Sequence, residues 1–280
     1  MPNTNLKLAL VQMPVGLDKA KNVAAACSKI GEAAHAGAQI VILPEMFNCP
    51  YANTYFSLFA EPAGGDTWQA MSNCARQNAV LLVAGSMPEN AEGRIYNTSF
   101  VFNRRGEPIA RHRKVHLFDI NVEGGQQFRE SATFSPGGTI TVFDTEYGRL
   151  GLCVCFDLRF PELARLMALQ GAQAIIVPGA FNMTTGPAHW ELLFRQRAVD
   201  NQLFTIGVAP ARDENGVYVS YGNSIVCSPW GEVLYRAGAQ ETTLMAEIDL
   251  SLNERIRSQL PLLSALRHDL YRTVDLTLEG

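Results

Sequence analysis

The chain has 280 residues, of which 47% are hydrophobic and 18% are charged, and its formal net charge is −4. This size and composition are typical of a compact α/β protein whose core is large enough to need no disulfides. The negative charge argues against nucleic acid or an anionic membrane as the main partner, and no apolar run reaches the length of about 20 residues that spans a bilayer.

Cysteine use and the N-terminus indicate a cytoplasmic protein. The first residues show no basic region followed by a long apolar stretch, so we expect no secretory signal. No C-x-x-C pair is present, which argues against a structural zinc site. The scattered cysteines are expected to be free thiols in a reducing compartment; they are Cys27, Cys49, Cys74, Cys153, Cys155 and Cys227.

The first part of the chain alternates predicted strands and helices. Asp18 is the expected N-cap of a first helix and Gly37 its stop. Arg105-Gly106 is the expected turn of a β-hairpin. The predicted helices cover 18–36 and 66–78, and the predicted strands cover 6–12, 39–43, 79–85, 95–103 and 108–112.

Residues 115–138 are rich in Gly, Gln and Glu and are predicted to form a loop over a site. After this loop, strands are expected at 140–143, 150–154, 174–177, 203–208, 224–228, 233–236 and 243–248, and helices at 161–170, at 187–201 and from 250. Continuous apolar strands between helices indicate sheets that are buried on their inner faces. We therefore predict one α/β domain of two packed, mixed sheets with helices outside.

Cys155 follows the predicted strand 150–154 and precedes a helix that opens with Pro161 near its first position. A cysteine on such a turn has its sulfur near free backbone N–H groups, which favour a thiolate and can also bind an oxyanion. That is a suitable position for a nucleophile. Cysteine is also among the most buried residue types, so simple packing of Cys155 is an equal alternative from this segment alone.

Two further polar residues follow predicted strands. Glu45 comes after four apolar residues and before Met-Phe, which favours a buried carboxylate that can act as a base. Lys114 ends a basic run, and a solvated edge strand is the alternative there. His112 and His116 have a helical metal-ligand spacing in a segment that looks extended, which argues against a metal.

Two other readings of the chemistry remain open at this stage. The loop 184–189 enters a helix, where its N–H groups could bind an anion or Thr185 could simply cap the helix. The five histidines permit a Cys-His protease, although none of them stands in a local protease signature.

Three motifs stand in order along the chain: Val-Ile-Leu-Pro-Glu at 41–45, Arg-Lys-Val-His-Leu-Phe-Asp at 113–119, and Gly-Leu-Cys-Val-Cys-Phe-Asp-Leu-Arg-Phe-Pro-Glu at 151–162. Together they resemble the three signatures of the nitrilase superfamily of carbon–nitrogen hydrolases. Weaker matches extend the resemblance over about residues 5–272. It implies a single domain with a four-layer α-β-β-α sandwich, a homodimer or higher homo-oligomer, and no metal or organic cofactor.

The resemblance also implies the roles of five residues. Glu45 would be the general base, Cys155 the nucleophile, and Lys114 the cation that stabilises the tetrahedral oxyanion. The backbone N–H of Phe156 would be the second oxyanion donor. Glu130 would orient Lys114 and the substrate.

Within the family, residues 155–160 and the loop 118–122 look most like the ω-amidase branch. That branch hydrolyses the terminal carboxamide of α-keto acids, such as α-ketoglutaramate and α-ketosuccinamate, through a Cys thioester. Arg159, Thr185 and Tyr51 would then hold the substrate carboxylate, for which a guanidinium is well suited. An ion pair between Arg159 and Glu162 is the structural alternative.

Three other functions are alternatives to this one. Residues 188–191 and 249–251 resemble the sister group, the deaminated-glutathione amidases, and Asn223 replaces a histidine usual in both groups. A nitrilase would use the same triad. A binding protein that has lost catalysis is disfavoured, because Glu45, Lys114 and Cys155 are all present.

Overall fold

The computed structural model describes residues 5–277, which form two six-stranded sheets packed face to face. The first part contains β1 (Asn5–Gln12), α1 (Lys19–His35), β2 (Ile40–Ile42), α2 (Asn53–Phe59), α3 (Asp66–Asn78), β3 (Leu81–Ala91), β4 (Arg94–Phe102) and β5 (Pro108–Arg113). The middle contains β6 (Asp119–Asn121), β7 (Gln127–Arg129), a 3-10 turn (Glu130–Ala132), β8 (Thr141–Thr145), β9 (Gly148–Leu152) and a second 3-10 turn (Cys155–Arg159). The last part contains α4 (Pro161–Leu169), β10 (Ala174–Pro178), α5 (Gly186–Asn201), β11 (Phe204–Val208), β12 (Ile225–Cys227), β13 (Val233–Arg236), β14 (Thr242–Asp249) and α6 (Leu252–Gln259).

The two sheets have matching topologies. The first has the order β14-β1-β2-β3-β4-β5 and the second β13-β12-β11-β10-β9-β8. In each sheet three neighbouring strands are parallel, namely β1-β2-β3 and β9-β10-β11, and the remaining pairs are antiparallel. Both sheets are therefore mixed, as the sequence predicts.

The apolar side chains form three layers of core. The central layer lies between the sheets and includes Leu8, Ile42, Leu152 and Ile176. A second layer joins α1 and α3 to the outer face of the first sheet, and a third joins α4 and α5 to the outer face of the second. Burial of these layers is the main stabilising contribution. The predicted α-β-β-α sandwich is confirmed.

Several local predictions are also confirmed. Asp18 is the N-cap of α1, where its carboxylate accepts a hydrogen bond from the N–H of Lys21 at 3.1 Å. The bounds of α3 match the prediction, and β4 and β5 form the predicted hairpin. No helix in residues 5–277 is long and apolar enough to cross a membrane.

Three local predictions were wrong or incomplete. Helix α2 was missed, because its aromatic-rich sequence shows no clear helical period and no side chain caps it. Strand β3 starts two residues later than predicted because Ala79 adopts a left-handed conformation that ends α3. The expected loop at 115–138 contains the antiparallel ribbon β6-β7.

Candidate active site

Glu45, Lys114 and Cys155 lie close together between the two sheets, just beyond the carboxyl ends of β2, β5 and β9. Their exposed fractions are 0%, 1% and 4%. Parallel strands present their carboxyl ends at one edge of a sheet, which is where α/β proteins usually place their sites. Packing two such sheets face to face brings residues from both into one buried cluster.

The carboxylate of Glu45 is held by three donors within 3.0 Å. Its Oε1 accepts hydrogen bonds from Nζ of Lys114 at 3.0 Å and from Nδ2 of Asn97 at 2.9 Å. Its Oε2 accepts one from the backbone N–H of Ala180 at 2.7 Å. This arrangement fixes the orientation of the carboxylate, which is what a general base requires.

Lys114 is bound by two carboxylates. Its Nζ lies 2.8 Å from Oε2 of Glu130, which also accepts a hydrogen bond from the N–H of Phe118 at 2.6 Å. Burial favours the neutral amine, but the negative charges of Glu130 and Glu45 outweigh it and raise the pKa of Lys114. Lys114 therefore remains a cation at neutral pH.

Cys155 opens a 3-10 turn in the left-handed region of backbone space, with φ at 49°. The predicted strand 150–154 ends at Leu152, so Cys155 lies beyond the strand and on the turn itself. Such a φ is uncommon for a residue with a side chain and is typical of strained functional positions.

The surroundings of the Cys155 sulfur oppose loss of the thiol proton. Burial and the negative charge of Glu45 raise its pKa well above the usual range, and the opposing effect of Lys114 is smaller. The expected effect of the turn on the thiol is therefore opposed by burial and by Glu45. A thiol beside the carboxylate of Glu45 suits proton transfer to Glu45 during attack.

The hydrogen bonds of the 3-10 turn do not use the N–H of Phe156, which leaves this N–H available to an oxyanion. The first hydrogen bond of this 3-10 turn runs from the N–H of Asp157 to the carbonyl of Val154 at 3.1 Å, so the N–H of Phe156 precedes the bonded part. The structure thus provides a backbone donor beside Cys155, where the family resemblance expects one.

Two glycines permit the close approach of the segments that carry the triad. A Cβ on Gly85 would lie 2.0 Å from the carbonyl oxygen of Pro44, and one on Gly137 would lie 2.1 Å from that of Arg113. Gly85 therefore lies against the residue that precedes Glu45, and Gly137 lies against the residue that precedes Lys114. The N–H of Gly137 also donates to the carbonyl of Lys114 at 2.8 Å.

Asp157 joins the segment that carries Lys114 to the turn that carries Cys155. Its Oδ2 accepts from Nε2 of His112 at 3.0 Å and from the N–H of Val154 at 3.1 Å. Its Oδ1 accepts from the N–H and from Nδ1 of His116, both at 2.8 Å. Burial alone would raise the pKa of Asp157, but these bonds hold it well below its usual range. Both histidines therefore hydrogen-bond to the carboxylate of Asp157.

We predict that Asp157→Asn lowers kcat about 10- to 100-fold and also lowers the melting temperature. The carboxylate of Asp157 accepts hydrogen bonds from four donors. The amide of asparagine replaces one carboxylate oxygen with an NH2 group, which cannot accept them, so the turn should shift relative to Lys114. Small misplacements of groups in an active site reduce the rate by about this factor. Steady-state kinetics and calorimetry measure both effects. Asp144→Asn, on an exposed carboxylate, is the control and should change neither. An unaltered kcat in Asp157→Asn contradicts the prediction.

Arg159 lies at the end of the same turn and is partly buried. Within residues 5–277 its guanidinium forms no ion pair, so the alternative pairing with Glu162 does not occur. Its Nη1 lies 3.1 Å from Nδ1 of His189, and it packs over the rings of Phe181 and Phe156. Burial lowers the pKa of Arg159.

Thr185 and Tyr51 lie in different surroundings. The hydroxyl of Thr185 donates to Oδ1 of Asn182 at 3.1 Å and does not cap α5. The hydroxyl of Tyr51 lies 3.2 Å from Oε1 of Glu130 and 3.3 Å from Nζ of Lys114, within the triad cluster. Nδ2 of Asn182 is buried and has no partner within residues 5–277.

Sequence reasoning missed three residues of the site. Asn97 donates to both Glu45 and Glu130, and Ala180 donates to Glu45 through its backbone. The ring of Tyr218 packs against that of Tyr51 in a tilted arrangement, with the ring centroids 4.8 Å apart. None stands in a motif with a chemical signature. A cavity of about 250 Å³ reaches Glu45, Tyr51 and Tyr218 from the side of residues 210–220, with room for a small substrate.

Comparison with known proteins identifies relatives along almost the whole chain. The carbon–nitrogen hydrolase family model matches residues 7–258. The chain is 49% identical to "Omega-amidase NIT2" of Mus musculus over 268 residues, which covers 96% of this chain and 97% of the mouse protein.

Two solved structures are similar. Saccharomyces cerevisiae Nit3, a member of branch 10 of the nitrilase superfamily, has a TM-score of 0.86 and 41% identity, covering 94% of this chain and 96% of its own. A glutamate-to-leucine mutant of the amidase from Nesterenkonia sp. AN1 has a TM-score of 0.78 and 26% identity, covering 95% of both chains. That structure shows the acetamide moiety of fluoroacetamide bound covalently to its active-site cysteine.

Proposed function

The chain belongs to the carbon–nitrogen hydrolase family and is an amidase, and we propose that its substrate is the terminal carboxamide of a small α-keto acid. α-Ketoglutaramate and α-ketosuccinamate are the expected compounds. The observation that carries the proposal is the guanidinium of Arg159, which lies four residues after Cys155 and forms no ion pair within residues 5–277. A cation in this position suits a substrate carboxylate.

In the first half of the proposed reaction, Glu45 takes the proton of the Cys155 thiol as the sulfur attacks the amide carbon. The oxyanion that forms is stabilised by Nζ of Lys114 and the N–H of Phe156. Glu45 then gives the proton to the leaving nitrogen, the C–N bond breaks, and ammonia departs from a thioester. The raised pKa of the Cys155 thiol next to Glu45 supports this order of proton transfer.

In the second half, Glu45 removes a proton from water, and the hydroxide attacks the thioester. The C–S bond breaks, Glu45 returns its proton to the sulfur of Cys155, and the carboxylic acid product loses its remaining proton to solvent and leaves as a carboxylate. The covalent acetamide adduct on the cysteine of the Nesterenkonia amidase supports a nucleophilic role for Cys155. Glu130 and Tyr51 hold Lys114 in place throughout.

The substrate proposal is tested by comparing kcat/KM for α-ketoglutaramate, deaminated glutathione and a nitrile of the same chain length. We expect α-ketoglutaramate to have the highest value, with ammonia release from the amide exceeding that from the nitrile. A higher kcat/KM for deaminated glutathione would overturn the proposal in favour of the sister activity. A higher value for the nitrile would identify a nitrilase.

We predict that Arg159→Met lowers kcat/KM for α-ketoglutaramate about 10- to 100-fold, because a charge-assisted hydrogen bond to the substrate carboxylate is lost. A neutral aliphatic amide without a carboxylate serves as the internal control. Its kcat/KM should be nearly the same in wild type and variant. Equal losses on both substrates would show that Arg159 supports the turn and does not bind the carboxylate.

We also propose that the protein is a cytoplasmic homodimer or higher homo-oligomer. The six cysteines of the chain are all free thiols, which supports a reducing compartment, and the family resemblance supports the oligomer. Light scattering of the purified protein and fractionation of the source cells measure these two properties. A monomer at micromolar concentration, or recovery in a membrane fraction, contradicts the corresponding part.

A further inference from the structure

Cys27 and Cys74 form a pair of thiols outside the active site. Cys27 lies on α1 and Cys74 on α3, and their sulfur atoms are 2.7 Å apart, with the thiol of Cys74 donating to Cys27. The pair belongs to the apolar layer between these two helices and the first sheet. The proposed mechanism does not use either sulfur.

The two sulfurs differ in access and in acidity. Cys27 is partly exposed, whereas Cys74 is 7% exposed. The hydrogen bond from Cys74 lowers the pKa of Cys27, while the pKa of Cys74 is raised by the same bond and by burial. The more exposed sulfur of Cys27 is therefore the one that a disulfide in solution can reach, and Cys74 lies within reach of the sulfur of Cys27.

We propose that Cys27 and Cys74 form a redox site that glutathione disulfide converts to an intramolecular disulfide between α1 and α3. The thiolate of Cys27 attacks one sulfur of glutathione disulfide, which releases one glutathione and leaves a mixed disulfide. Cys74 loses its proton and attacks the sulfur of Cys27, which releases the second glutathione. The protein thiols lose two electrons and two protons, and one glutathione disulfide becomes two glutathione molecules.

The other cysteines do not have this arrangement. Cys153 and Cys155 are both buried, and burial raises the pKa of both thiols well above the usual range. Cys49 and Cys227 are also buried, and burial raises the pKa of both thiols. Oxidation by glutathione disulfide is therefore selective for the Cys27–Cys74 pair.

The test treats the full-length protein with glutathione disulfide, quenches with acid, alkylates the remaining thiols and maps the peptides by mass spectrometry. We expect the Cys27 and Cys74 peptides to be joined, with a mass two hydrogens below their sum. Cys74→Ser should stop at a glutathione adduct on Cys27, and Cys27→Ser should leave Cys74 free for alkylation. Cys227→Ser is the matched control and should keep the cross-link.

A second readout is the melting temperature, which should rise by roughly 5 °C on oxidation of wild type and stay unchanged in Cys27→Ser, because a cross-link restricts the unfolded chain. The proposal is overturned if both thiols of the wild type remain alkylatable, or if the wild type stops at the glutathione adduct on Cys27. It is independent of which amide the enzyme hydrolyses.

Discussion

Glu45→Gln should reduce kcat by roughly 10³-fold while the protein remains folded, because the amide keeps the shape of the side chain but cannot accept the proton of Cys155. General-base catalysis contributes about 10²- to 10⁴-fold in enzymes. Single-turnover assays with α-ketoglutaramate measure the loss, and circular dichroism checks the fold. A variant that retains wild-type turnover would favour a Cys-His mechanism over the triad.

The same substitution should lower the pKa of Cys155. In the wild type, burial and the charge of Glu45 both raise that pKa, and Lys114 opposes them. Removal of the carboxylate leaves Lys114 as the dominant charge beside the sulfur. The thiolate should therefore form at lower pH in Glu45→Gln than in wild type, although the variant turns over far more slowly.

Ultraviolet absorbance of the thiolate, with Cys155→Ala subtracted as the blank, measures this shift. Glu61→Gln is the matched control, since Glu61 is a buried carboxylate that pairs with Lys19 away from the triad. It should keep both the turnover and the titration of Cys155. An unchanged or higher pKa of Cys155 in Glu45→Gln would show that Glu45 is not the neighbour that controls the thiol.

Local patterns in the sequence predicted the elements that are determined by interactions between residues near each other in the chain. Asp18 caps α1 because a short acceptor side chain before a periodic run has a nearby N–H to bind. The triad was found through three motifs, each of which lies at the end of a strand. The pairing of two sheets that brings Glu45 and Cys155 together follows from the family resemblance and could not be read from spacing alone.

Features that depend on contacts between distant segments were not predictable. Asn97 lies within β4 like many strand residues, and only the fold brings its amide between Glu45 and Glu130. The direction in which the pKa of Cys155 is shifted was also missed. The turn suggested a thiolate, but burial and a neighbouring carboxylate have the larger effect, and both come from tertiary packing.

Lys114→Met should abolish measurable turnover and also destabilise the protein by about 3–5 kcal/mol, as removal of one member of a buried ionic cluster does. Glu45 and Glu130 both bind Nζ of Lys114 and both accept from Asn97, so without the cation two carboxylates share a dry site. Loss of an oxyanion donor alone costs about 10²- to 10³-fold in rate. Denaturant unfolding and single-turnover kinetics measure the two effects separately.

The pH dependence of stability distinguishes this explanation from a simple packing defect. In the wild type the raised pKa of Lys114 means that its stabilising charge is complete at neutral pH and is lost only far into the alkaline range. In Lys114→Met the folded site is relieved of the repulsion between its two carboxylates when one of them binds a proton. The stability of this variant should therefore increase as the pH falls below neutrality. Adding Glu130→Gln to Lys114→Met should remove this dependence and recover part of the lost stability, but it should recover no turnover. If the double variant is as unstable as the single one, carboxylate repulsion is not the cause.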